Sequence, residues 1–163
     1  MADEAPGGED PGPPKPTLEH VMDLDIEVAE PVEIGETGDG LRRIIPILGG
    51  TVSGRIEGEV LRAGADYQLF RVDRPTKLVA KYAFETVDGD RVYVENVGIR
   101  HATPENKRRL RDGEPVPPEE IYMQSTPSFE TAAPELQWLT EGVFVAPGTR
   151  QPKGVRLAVY RVD

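Results

Sequence analysis

The sequence predicts an all-β protein, an antiparallel closed β-barrel with one short helix and a disordered N-terminal tail. Three observations predict it: runs of alternating apolar and polar residues recur along the chain, turn signals separate them at hairpin spacing, and a single stretch carries helix-start chemistry. Glycines at 49, 50, 54, 58 and 64 crowd the early strands and permit the sharp curvature that closure needs. A closed ring also leaves no unpaired strand edge, whereas a two-sheet sandwich with bent corner strands accommodates the same glycines but keeps its edges.

Residues 1–16 alternate prolines with glycines and acids, a composition that buries too little apolar surface to offset its ordering entropy, so this tail is expected to be disordered. Residues 17–163 form the single expected domain. Leu24, Ile26 and Val28 alternate with Asp23, Asp25 and Glu27, the period of a strand with one wet face. A Gly-rich turn is expected from Gly35 to Gly40, then a bent approach through Leu41–Leu48, where Pro46 lacks an N–H for a central ladder. Val52, Gly54, Ile56, Gly58 and Val60 alternate with polar residues and read as one long strand. Tyr67–Val72, Lys77–Thr86 and Arg91–Val97 follow, the last two joined by the hairpin signal Asp88-Gly89. Thr103-Pro104-Glu105 opens a helix with a hydroxyl cap, a proline at the first helical position and an acid in the first turn, and Gly113 ends it. Its basic run, Lys107, Arg108, Arg109 and Arg111, reads as a solvated face. Ile121–Ser125, Gly142–Ala146 and Val155–Val162 supply the remaining strands.

The net charge of −10 is local. Residues 1–40 hold one lysine against twelve acids, so residues 41–163 are close to neutral and offer no electrostatic footprint for nucleic acid. No run approaches the roughly 18 apolar residues of a membrane-spanning helix, and the opening residues lack the basic and apolar segments of a secretory leader, which sets the expectation of a cytoplasmic protein away from membranes. With no cysteine, disulfides, thiol nucleophiles and cysteine-ligated metals are excluded by inventory.

Several motifs together carry a family resemblance. Ile45-Pro46-Ile47 with Gly49-Gly50 and Gly54, Gly64-Ala65-Asp66-Tyr67, Asp88-Gly89, Asn96-Val97-Gly98, and Pro127–Glu130 followed by Trp138-Leu139 resemble the domain of unknown function 3237 family over roughly residues 20–163. The chain departs from that pattern at Ala63, Tyr67 and Thr140. The resemblance implies a small calycin-like barrel. It implies no general activity, and the occurrence of some members beside aromatic-catabolic or polyketide genes hints at cyclic organic ligands.

Two carboxylates are the candidate catalytic groups. Asp66, beside Gly64, is a candidate general base if desolvated, although an Asx turn explains the same residue. Glu130 is its candidate partner, the alternative being a rim carboxylate paired with an arginine. Arg43, Arg55 and Arg100 are candidate holders of a carboxylate or enolate through the guanidinium fork, and Tyr122 and Trp138 are candidate stacking surfaces for a planar ligand. Tyr82 shares a face with Leu78, Ala80 and Phe84 and reads as core. His20 and His101 lack metal-ligand spacing, so no metal is expected; no serine sits in a nucleophile elbow, and no glycine pair forms a phosphate loop, so no cofactor is expected either. Three function classes stay open: a cofactor-independent isomerase or cyclase acting on an aromatic or polyketide-like molecule, a non-catalytic barrel binding a small hydrophobic or aromatic molecule, and a homo-oligomeric assembly module.

Overall fold

The structure, a computed structural model, describes residues 10–163. Of the expected disordered tail, residues 1–9 therefore lie outside the described residues; residues 10–16 are exposed and without regular structure up to Thr17, whose N–H donates to the Asp163 carbonyl at 2.8 Å.

Nine antiparallel strands follow: β1 (Leu18–Val28), β2 (Val32–Thr37), β3 (Gly40–Gly54), β4 (Gly58–Phe70), β5 (Thr76–Thr86), β6 (Arg91–His101), β7 (Tyr122–Thr131), β8 (Val143–Gln151) and β9 (Gly154–Val162). Eight of them close into a barrel in the order β1-β9-β8-β7-β6-β5-β4-β3, sealed by β3 pairing back to β1, and β2 lies outside the ring. Closure depends on β3 changing partner midway. Its residues from Gly40 to Ile44 pair with β2, and those from Ile47 to Gly54 pair with β1. Pro46 stands at the exchange, where a missing N–H costs the ladder least.

Two expectations differ from this arrangement. The segment around Gly35 is strand β2, with Gly35 at a register shift and only Gly38-Asp39 left as the turn. The expected long strand through Val60 is instead a hairpin, β3 and β4 joined at Arg55–Glu57. Alternation survived the reversal because Val52, Ile56 and Val60 all reach the same core from the two arms and the tip, and a period of two is blind to a change of direction. Helix α1 (Pro104–Arg111) forms as expected, its Thr103 hydroxyl accepting from the Asn106 N–H. Short 3-10 helices at Pro118–Glu120 and Pro134–Leu139 were not foreseen.

The barrel has two unlike ends. At one, Met22, Leu24, Val52, Phe84, Val92 and Val159 are buried in an apolar core, each contributing about 1.5–3 kcal/mol by burial. The 3-10 helix Pro134–Leu139 plugs this end with Leu139, Leu136 and Trp138, and Phe129 meets Phe144 edge-on at 5.2 Å beneath it. At the other end Leu41, Phe70, Ala102 and Leu110 form a separate cluster that docks α1 beside the opening. Lys107, expected on the solvated face of the helix, is instead buried and pins the helix there, its ammonium donating to the carbonyls of Arg71, Val72 and Arg74 at 2.7, 3.3 and 2.7 Å.

Candidate functional site

The inner face of β6 records how one barrel holds both a core and a cavity. Its inward residues run Val92, Val94, Asn96, Gly98, Arg100, so the face turns from apolar to polar halfway, while outward Val97 and Ile99 are left exposed. The same change occurs on β4, where Val60 faces the core and Asp66 and Gln68 face the opening, and on β3, where Val52 gives way to Ile45 and Arg43. Pairing aligns these strands. Asp66 lies opposite Ala80, Ala80 opposite Asn96, and Gln68 opposite Arg43.

The polar residues line a cavity of about 370 Å³ inside the open half of the barrel, within the size range of small-molecule sites. Its floor includes Tyr82, whose ring belongs to the core below, and its walls add apolar area from Ile45, Leu78 and Leu157. The rim is made by the β1–β2 connection at residues 29–31, by the β8–β9 turn and by the end of α1.

Polar atoms here are left without protein partners. Asp66 Oδ1, Tyr82 Oη, Asn96 Oδ1, Arg100 Nε and Arg43 Nε are closed off from solvent and make no hydrogen bond within the protein. Each such group costs about 1–3 kcal/mol, so native folds keep few of them. Gln68 Nε2 donates to the other Asp66 oxygen at 2.8 Å and fixes the carboxyl against the β4 wall. Burial raises the Asp66 pKa above the ordinary carboxylate value, overcoming the Gln68 hydrogen bond, the Arg100 charge and the nearby Val79 backbone. Burial, and then the neighbouring Asp66 charge, likewise push the Tyr82 phenol up, so it remains a proton donor. Burial and repulsion from Arg150 pull the Arg100 guanidinium down to about 10; Asp66 opposes that shift and Arg43 adds to it.

Of the seven residues singled out from the sequence, the cavity brings together Asp66, Arg43 and Arg100. Glu130 lies on the exposed outer face of β7, opposite Tyr93 of β6. Tyr122 is also outside the wall, 56% exposed. Arg55 and Trp138 meet each other at the closed end, the guanidinium 4.0 Å from the indole centroid. Sequence reasoning missed Asn96 and Gln68 and placed Tyr82 wholly in the core. The signal for Asn96 was the alternation on β6, where a polar residue takes the phase of Val92 and Val94.

Comparison with known proteins follows the same outline. The model of the family described as Protein of unknown function (DUF3237) matches residues 16–162. A UPF0311 protein of Rhodopseudomonas palustris is 48% identical over 150 residues, which cover 90% of this chain and 98% of that one. The crystal structure of a beta-barrel like protein from Acinetobacter baumannii superposes with a TM-score of 0.82 at 34% identity, covering 94% of this chain and all of that one. The crystal structure of an enzyme from Penicillium herquei shares the fold at a TM-score of 0.70 and 16% identity, over 96% of this chain and 99% of that one.

Proposed function

This chain belongs to the DUF3237 family of proteins of unknown function, and from that premise we propose that it is a cofactor-independent isomerase or cyclase that moves a proton on a small aromatic or polyketide-like molecule held in the open half of its barrel. One observation carries the reading: buried polar atoms of Asp66, Tyr82, Asn96 and Arg100, all without protein partners, line one cavity. A fold tolerates such groups together where a ligand completes their hydrogen bonds.

The chemistry follows from their environments. Asp66, its pKa raised by burial, is a stronger base than an ordinary carboxylate. It takes a proton from an acidic C–H or O–H of the ligand. The electron pair left behind moves onto a conjugated oxygen, and the still-protonated Tyr82 hydroxyl donates a hydrogen bond to it. Return of the proton to a different atom gives the isomer; attack of the freed oxygen on a conjugated carbon, with the proton delivered to the neighbouring carbon, gives the ring. No atom is gained or lost in either case. The Penicillium herquei enzyme shows that a barrel of this shape serves catalysis in another protein.

The test begins with native mass spectrometry of the freshly purified protein and identification of any small molecule released. That compound, incubated in D2O with the protein, should exchange a C–H proton for deuterium, and Asp66→Asn should slow the exchange roughly 100-fold or more while still binding it. Equal exchange by wild type and variant would leave a non-catalytic binding barrel as the function.

A further inference from the structure

Resting on the reading of this cavity as a ligand site, we propose that its ligand is an organic carboxylate, seated with its charge between Arg100 and Arg43 and its ring system directed inward to Asp66. Arg100 is 6% exposed, yet no carboxylate of the described residues lies within 4.0 Å of its nitrogens. A charge buried in this way is costly unless paired, and among the described residues the one carboxylate that favours it, Asp66, stands beyond ion-pair distance. Arg43, the neighbour across the opening, spends one nitrogen on the Arg111 carbonyl at 2.7 Å and stands 3.6 Å from the exposed Glu33, but its Nε also has no partner.

Both guanidinium carbons lie beside one aromatic ring, 5.9 Å and 5.5 Å from the Phe70 centroid for Arg43 and Arg100, so the two cations share one aromatic neighbour. The charged residues of the cavity are Arg43, Arg100, Arg150 and Lys153 against Asp66 and Glu30. The cavity is therefore cationic in a chain whose net charge is −10, and it selects anions against the field of the whole protein. A planar guanidinium fork suits the two oxygens of a carboxylate.

The arrangement also orients the ligand. Arg100 stands four residues along β6 from Asn96, about 13 Å of strand, and Asn96 shares its level with Asp66 through Ala80. Apolar Leu78, opposite Gly98, lies in that interval, and Ile45 and Leu157 add apolar wall to the cavity. A one- or two-ring acid with its carboxylate at the arginines thus presents its far edge to Asp66 and Tyr82.

The experiment uses the full chain and matched probes: benzoate, cinnamate and 2-naphthoate against their uncharged amides, with inorganic phosphate as the purely anionic control. Thermal unfolding and calorimetric titration should show at least one carboxylate binding roughly tenfold or more tighter than its amide. Arg100→Met should abolish that preference, and in ligand-free protein it should raise the melting temperature by removing an unpaired buried charge. Equal binding of acid and amide, a preference surviving in Arg100→Met, no response to any carboxylate, a phosphate response matching the organic acids, or a lowered melting temperature in a folded Arg100→Met would each overturn the inference. Failure here leaves the deuterium-exchange result untouched, and failed exchange with an intact carboxylate preference removes the proton transfer alone.

Discussion

At the scale of single residues, Asp66 concentrates the tension between stability and function. Its native pKa is raised above the ordinary 3.8, so the folded protein keeps a proton that the unfolded chain has released. The contribution to stability is therefore fully present below 3.8 and is lost as the pH rises through the native value. Asp66→Asn, which keeps the shape and can still accept from Gln68, should remove this dependence. We expect the variant to match wild type near pH 4 and to exceed it at neutral pH, by about 1.4 kcal/mol for each unit of upward shift, read from urea unfolding across that range. A variant less stable than wild type at neutral pH would mean that the ionised carboxylate is structurally paired. Tyr82 illustrates the same tension in one side chain, its ring in the core and its unpartnered hydroxyl in the cavity floor.

At the scale of elements, β4 is the strand that turns a core into a site. Its register with β5 slips between Val60 and Gly64, four residues on β4 spanning only two on β5, and the bulge aims Asp66 at the opening. Gly64 makes the slip sterically feasible. It holds φ +134°, and a Cβ there would stand 2.0 Å from the Lys81 carbonyl oxygen and 2.8 Å from the Tyr82 Cα. Gly64→Ala should cost about 3 kcal/mol or more, and any folded fraction should lose deuterium exchange, because relief of the clash displaces Tyr82 and Asp66 together. Unfolding midpoints and exchange rates measured on the same sample check both halves; an alanine variant of wild-type stability would refute the account of the bulge. Gly50 serves closure similarly, its backbone packed so tightly that a Cβ would meet the Asp25 carbonyl at 1.9 Å.

At the scale of the whole molecule, the barrel divides its labour between ends. The plugged end supplies apolar burial and the open end spends part of that stability on unpartnered polar groups. Arg55 and Trp138 belong to the plugged end, where their stacking covers the base of the core. Arg55→Ala should therefore lower stability by about 0.5–1 kcal/mol, the scale of an exposed cation–π contact, and leave ligand affinity unchanged. A loss of affinity without a loss of stability would connect the two ends through the core.

Much of the fold was legible because it is local. Alternation in β1, β5 and β9, the Asp88-Gly89 hairpin, and the Thr103-Pro104-Glu105 helix start each act through neighbouring residues, and a succession of hairpin-spaced strands leaves few architectures other than a barrel or sandwich. The hairpin at Arg55–Glu57 and the strand around Gly35 were not legible, since alternation does not register direction and a bulged glycine reads as a turn. Of the candidate site, Asp66, Arg43 and Arg100 were nameable by side-chain chemistry, and the same reasoning also named Glu130, Arg55, Tyr122 and Trp138, which lie elsewhere. By itself the sequence determined which residues alternate, where the chain turns and where its negative charge lies. Only the tertiary structure decided which face of each strand points inward and at which level of the barrel, because inward position depends on pairing register, and one slipped residue exchanges every inner side chain for an outer one.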